Sequence, residues 1–157
     1  MFLLKEFTAS KSSTLDAAPD AVFALITDVD RLPDWNAHIH HVIERPAGPL
    51  APGIEWVVQM RAMGGKWASR ATCTEYDADK RVLAHVSHTE DGNPSSATWR
   101  WEVTPADDGR SALDVSWQVN PRTFWRRALF GKIRRSQLGD ELPASFQAMQ
   151  SLLAVRV

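Results

Sequence analysis

The segment DRLPDWNAHIHHV, residues 30–42, holds the densest group of side chains that could do chemistry. Imidazole is both a metal ligand and an acid–base group near neutral pH. On an extended strand His38 and His40 would share one face and His41 would take the other. Two such histidines can hold a metal if a third ligand comes from elsewhere, with His85, His88 or Glu44 as the candidates. No spacing fixes that third ligand. The expectation is therefore solvated or capping histidines, no metal and no cofactor.

Nucleophilic chemistry has weaker support. The residue types of a Ser/His/Asp triad are present, but no Gly-x-Ser-x-Gly elbow occurs, and the serines lie in strands and turns. MGGKW reads as a hairpin turn, since no strand–loop–helix context makes it a phosphate-binding loop. The single cysteine, Cys73, excludes an internal disulfide and a CxxC-type zinc site. It fits a reducing, cytoplasmic setting.

The unusual number is seven tryptophans: Trp35, Trp56, Trp67, Trp99, Trp101, Trp117 and Trp125. Each fills a large volume and brings one N–H donor that needs a partner. They imply either a large aromatic core or an aromatic pocket.

Period-2 alternation shows what must position them. IEWVVQM puts Ile54, Trp56, Val58 and Met60 on one face. SATWRWEV puts Ala97, Trp99, Trp101 and Val103 on one face, against Thr98, Arg100 and Glu102. SALDVSWQVN does the same with Leu113, Val115, Trp117 and Val119. KWASRATCTEYD and RVLAHVSHT are further strands. The turns DADK, EDGNP and PADDG are short, so neighbouring strands should be antiparallel. If PADDG closes a hairpin in symmetric register, Trp99 stands opposite Trp117, with Trp101 near Val115.

Before this block, residues 3–15 read as a half-exposed strand. APDAVFALITDV follows as a short amphipathic helix, and DRLPDWN as a second helix or turn broken by Pro33 and Asp34. After Pro121 the period becomes helical. Leu138, Leu142, Phe146, Met149, Leu152 and Leu153 recur at spacings of three and four. Gly139 and Pro143 are expected to kink or divide this segment. Strands in one block with helices at the ends give an α+β domain over residues 1–157, its wet-and-dry sheet covered by the last helix. Leu142, Phe146 and Met149 should face the Trp99/Trp101/Trp117 wall.

The balance of the chain agrees with one such domain. It has 157 residues, 44% hydrophobic and 24% charged, with a net charge of −1. That charge gives no reason to expect nucleic-acid binding. No apolar run approaches the roughly 20 residues of a membrane helix, and MFLLKEF is too short for a secretory apolar core.

STLDAAPDAVFALITDVDRLPDWNAHIHHV resembles the opening of the START-like, helix-grip (SRPBCC) superfamily, in its polyketide cyclase/dehydrase-related branch. Ala-Pro-x-x-Val-Phe and Pro-x-Trp-Asn carry the likeness, and TWRWEVTPADDGRSALDVSWQV and SFQAMQSLLA continue it. The resemblance implies a curved seven-stranded antiparallel sheet wrapped around a long C-terminal helix, with two short helices after the first strand. It also implies a cavity between sheet and helix that often holds an apolar ligand. Pro33 and Trp35 match the helix-to-strand junction that shapes the fold near the cavity mouth.

On that footing the cavity residues are Trp35, Trp56, Trp67, Trp99, Trp101, Trp117, Val115, His85, His88, Leu142, Phe146 and Met149. Binding of a small hydrophobic molecule, lipid-like or polyketide-like, is the leading reading. Some relatives are aromatases or cyclases that hold and protonate an enolisable carbonyl. His85, His88, Arg70, Tyr76 and Arg100 are the groups available for this, but no motif assigns a catalytic residue. Arg100 alternates away from Trp99 and Trp101, so solvent is its expected place. A third reading is an interaction protein of the ribosome- or quinone-associated type. Residues 122–135 mix six basic side chains, among them Arg126, Arg127, Arg134 and Arg135, with apolar ones such as Phe130. They suit a lid with weak contact to an anionic membrane surface, or simply a wet basic helix. The protein is expected to be a monomer or homodimer.

Overall fold

A computed structural model describes residues 8–62, 64–89, 96–120 and 131–154, and side chains within 9–61, 64–89, 96–119 and 142–154. Seven strands form one antiparallel sheet: β1 (Thr8–Leu15), β2 (Ile39–Glu44), β3 (Glu55–Ala62), β4 (Gly65–Asp77), β5 (Val82–Thr89), β6 (Ser96–Pro105) and β7 (Ser111–Asn120). Their order is β1-β7-β6-β5-β4-β3-β2, so β1 and β2 are the two edges. The chain must therefore cross the whole sheet between its first and second strands. Helices α1 (Pro19–Thr27) and α2 (Leu32–Trp35) make that crossing, joined by a 3-10 turn at Val29–Arg31.

Helix α1 begins with Pro19, whose missing N–H costs nothing in the first turn, and Asp20 follows in that acidic-favouring turn. Its Val22, Phe23, Leu25 and Ile26 are buried. The long helix α3 (Gly131–Ala154) packs on β1, β7 and both short helices. It runs through Gly139 and Pro143 as one helical segment rather than two. Pro143 lies on an exposed position, where the carbonyl it leaves without a donor can face water.

Two side-chain bonds fix α3 against the rest. Ser145 is buried, and its Oγ accepts the Ala37 backbone N–H at 3.1 Å. Gln150 Oε1 accepts the Asp16 N–H at 2.7 Å. A second buried hydroxyl, Ser111 Oγ, donates to the Ala17 carbonyl at 2.6 Å and ties β7 to the start of α1.

The β6–β7 hairpin closes through PADDG, with Asp108 and Gly109 both at positive φ. Its register sets Trp99 opposite Trp117 and Trp101 opposite Val115. The core lies on the inner face, where Leu113, Val115, Val103, Trp101 and Trp117 are buried together with Leu142, Phe146 and Met149. Residues Arg126, Arg127 and Phe130 lie outside the described residues. Arg134 and Arg135 fall within α3, but their side chains also lie outside them.

Phe146→Ala is expected to lower stability by about 3–5 kcal/mol, because a large ring leaves a closed interior. Chemical denaturation of the two proteins measures it; an unchanged midpoint would remove Phe146 from the core.

Candidate inner-face binding site

Strand pairing lines up Cys73, His85, Trp99 and Trp117 as one row across β4, β5, β6 and β7. All belong to the inner face by alternation. One step toward α1, the row Leu83, Trp101 and Val115 is sealed. One step the other way, Ser87, Ala97 and Val119 are only half-buried, as are His85 and Trp99. Exposure thus rises along the inner face away from α1.

The aromatic rings form a continuous wall. Trp35 meets Trp101 edge-on at 5.6 Å between centroids. Trp101 stacks on Trp99 at 5.9 Å, and Trp99 on Trp117 at 5.8 Å. His85 lies nearly parallel to Trp99 at 6.4 Å and meets Trp56 at 5.5 Å. Offset stacks and edge-on contacts at these separations are attractive beyond the area they bury.

His85 is the polar centre of this wall. The indole N–H of Trp101 donates to its Nε2 at 3.3 Å, and its Nδ1 lies 3.3 Å from Ser87 Oγ. An indole nitrogen can only donate, so Nε2 must carry the lone pair. The neutral ring therefore has its proton on Nδ1, facing the serine oxygen. Burial among the rings lowers the His85 pKa to about 4, because the cation would lose its hydration without gaining a counter-charge. Cys73, beside it in register, is buried; desolvation raises its pKa and keeps it a thiol.

Other sequence candidates separate from this wall. His88 is three residues from His85, so alternation turns it to the outer face, where it is exposed opposite Arg70. It does not belong with the cavity residues. Arg70 is held by Glu55 and Glu44, each at 3.1 Å, also on the outside. Arg100 sits between Glu75 and Glu102 at 3.7 Å. Tyr76 packs on Phe23 at 5.7 Å near the α1 end. Trp67 is half-buried at the far end of the inner face, opposite Met60.

The clustered histidines also part company. His38 precedes β2, and its Nδ1 lies 2.9 Å from the Arg61 carbonyl oxygen. Irregular pairing between Ile39 and His41 breaks the alternation that would align His38 with His40. His40 and His41 instead are both exposed, their rings 5.7 Å apart. No group of three or more His, Cys, Asp or Glu able to hold a metal occurs among the described residues.

Ser87 and Ala97 were not among the sequence candidates. Period two from His85 and from Trp99 places both on the inner face, so the signal was there in the spacing.

Residues 6–154 match the family described as polyketide cyclase/dehydrase and lipid transport. The chain belongs to that family. No curated protein sequence matches it significantly. Among solved structures, a START superfamily protein from Mycobacterium smegmatis aligns with TM-score 0.73 at 13% identity, covering 94% of this chain and 97% of that one. The Zhui aromatase/cyclase from Streptomyces sp. R1128 gives 0.69 at 17%, covering 95% and 94%. Ara h 8.0201 gives 0.69 at 16%, covering 94% and 97%. At these identities the likeness is one of fold. Among the described residues, no helix is long and apolar enough to cross a membrane.

The lowered His85 pKa has a signed consequence. Between about pH 4 and 6.5 the unfolded chain binds a proton that the folded chain refuses, so stability falls as pH drops through that window. The loss is on the order of 3 kcal/mol by pH 4, at 1.36 kcal/mol per unit. His85→Gln, which keeps an acceptor for Trp101, should flatten that part of the stability–pH curve. An identical slope in both proteins would contradict the assignment.

Proposed function

We propose that this protein binds a flat, neutral, mostly apolar small molecule on the inner face of its sheet and holds it without transforming it. The observation that carries this is the half-buried strip of Trp99, His85, Ser87, Ala97 and Val119, set beside the sealed row of Leu83, Trp101 and Val115. Aromatic surface left partly open inside a fold is a stacking platform for a planar ligand. Family membership supports the reading, since the family's description joins cyclase chemistry with lipid transport.

A cyclase-like reaction in the same place is the second reading, favoured by the His85–Ser87 pair. The state of His85 argues against it. Its Nε2 lone pair is engaged by Trp101, and a group with a pKa of about 4 is a weak base that at neutral pH is not in the cationic form able to act as a general acid.

The test fills the strip. Ala97→Phe places a ring where the inner face is open, so the fold should lose no more than the roughly 1–3 kcal/mol of overpacking. Native mass spectrometry of protein purified without detergent should show a small-molecule adduct in the wild type and none in Ala97→Phe. An adduct of equal occupancy in both would place binding elsewhere.

A further inference from the structure

Strand β2 is an edge of the sheet, and its six residues carry two irregularities. Ile39 pairs with Met60 and His41 with the neighbouring Gln59, so His40 is an extra residue in the register. An extra residue of this kind bends the strand and re-aims its side chains. In a regular strand His40 and His41 would point to opposite faces. Here their rings meet instead, with centres 5.7 Å apart and planes at 68°, and both residues are exposed.

That separation is close to the spacing of a chelate. Two imidazoles on one tetrahedral zinc, at about 2.1 Å per Zn–N bond, have ring centres about 5.2 Å apart. A square-planar ion would need them nearer, at about 4.5 Å. Neither ring is packed in the core, so small torsion changes can close a gap of about half an ångström and turn a nitrogen of each ring inward.

The pair is only half a site. A zinc ion held for structure takes four ligands, and no third His, Cys, Asp or Glu among the described residues joins these two in a metal-holding group. A second copy can supply the rest. Because β2 ends the sheet, another molecule's β2 can approach it about a twofold axis, which brings two identical pairs to one ion. The same edge presents Ile43, 51% exposed and the most open large hydrophobic side chain among the described residues. Ile43 is the extra residue of the second irregularity, between Val42 and Glu44, and the approach of a second copy would cover it.

We infer that His40 and His41 form a zinc half-site, completed by the same two residues of a second copy, so that zinc ties two molecules together at their β2 edges. Neither ring belongs to the aromatic wall, so zinc binding and ligand binding are read separately.

Sedimentation velocity of the full chain, stripped with EDTA and then titrated with zinc chloride, should show the mass double and saturate at one zinc per two chains. Excess EDTA should reverse it. His40→Gln and His41→Gln, both at exposed positions, should each remove the doubling and weaken zinc binding at least about tenfold. His88→Gln, at an exposed histidine of another strand, should leave both unchanged. Zinc bound at one per chain with no change of mass would overturn the shared site. Doubling that survives His40→Gln or His41→Gln, doubling lost in His88→Gln, or no zinc binding at all would overturn the assignment as well.

Discussion

A single helix cannot cover a seven-stranded sheet, and the rest of this structure follows from that mismatch. Seven strands at about 4.8 Å spacing span roughly 29 Å, whereas one helix with its side chains is about 10–12 Å across. Helix α3 packs on the β1–β7 side, and α1 and α2 seal one end as the chain crosses from edge to edge. Among the described residues, what remains is a stretch of inner face that neither closes with backbone nor can be left to apolar side chains facing water. Large aromatics reduce the gap. Trp56, Trp99, Trp101 and Trp117 reach further from the sheet than aliphatic residues would, and contacts among the last three, with His85 against Trp56, keep them upright.

His85 fits within that logic as a packing element with a polar handle. It is flat enough to continue the aromatic row and accepts the one indole proton that lies within its reach. Its neutrality is maintained by the same rings that surround it, so the site's electrostatics and its packing have one origin. The outer face uses the opposite strategy. There Arg70 and Arg100 sit among Glu44, Glu55, Glu75 and Glu102, where half-exposed ion pairs keep the surface wet and contribute little to stability.

Much of this was legible in the residues. Alternation in SATWRWEV and SALDVSWQVN, plus a short turn, was enough to pair Trp99 with Trp117 and Trp101 with Val115. The same rule, applied to RVLAHVSHT, separates His85 from His88 and joins it to Ser87. Taking histidine type before parity is what grouped His88 with the cavity. The histidines of residues 38–41 were not legible, because an irregularity in β2 breaks the period on which the inference rested. Nor could spacing reveal the His85–Trp101 bond or the way the rings stack on one another. Those depend on rotamers, which the packing of several strands decides together.

The central claim is that the open aromatic strip of the inner face, and no other apolar feature, receives the ligand. Among the described residues a competing feature is a cleft of about 130 Å³ between α1 and α3, lined by Ala21, Ala24, Leu25, Asp28, Arg31, Leu152 and Leu153. A crystal structure of the protein soaked with fluorenone separates the two. The account predicts the ligand stacked on Trp99, with the Trp101–His85 bond intact. Density in the α1–α3 cleft, with the inner strip unchanged, would contradict it.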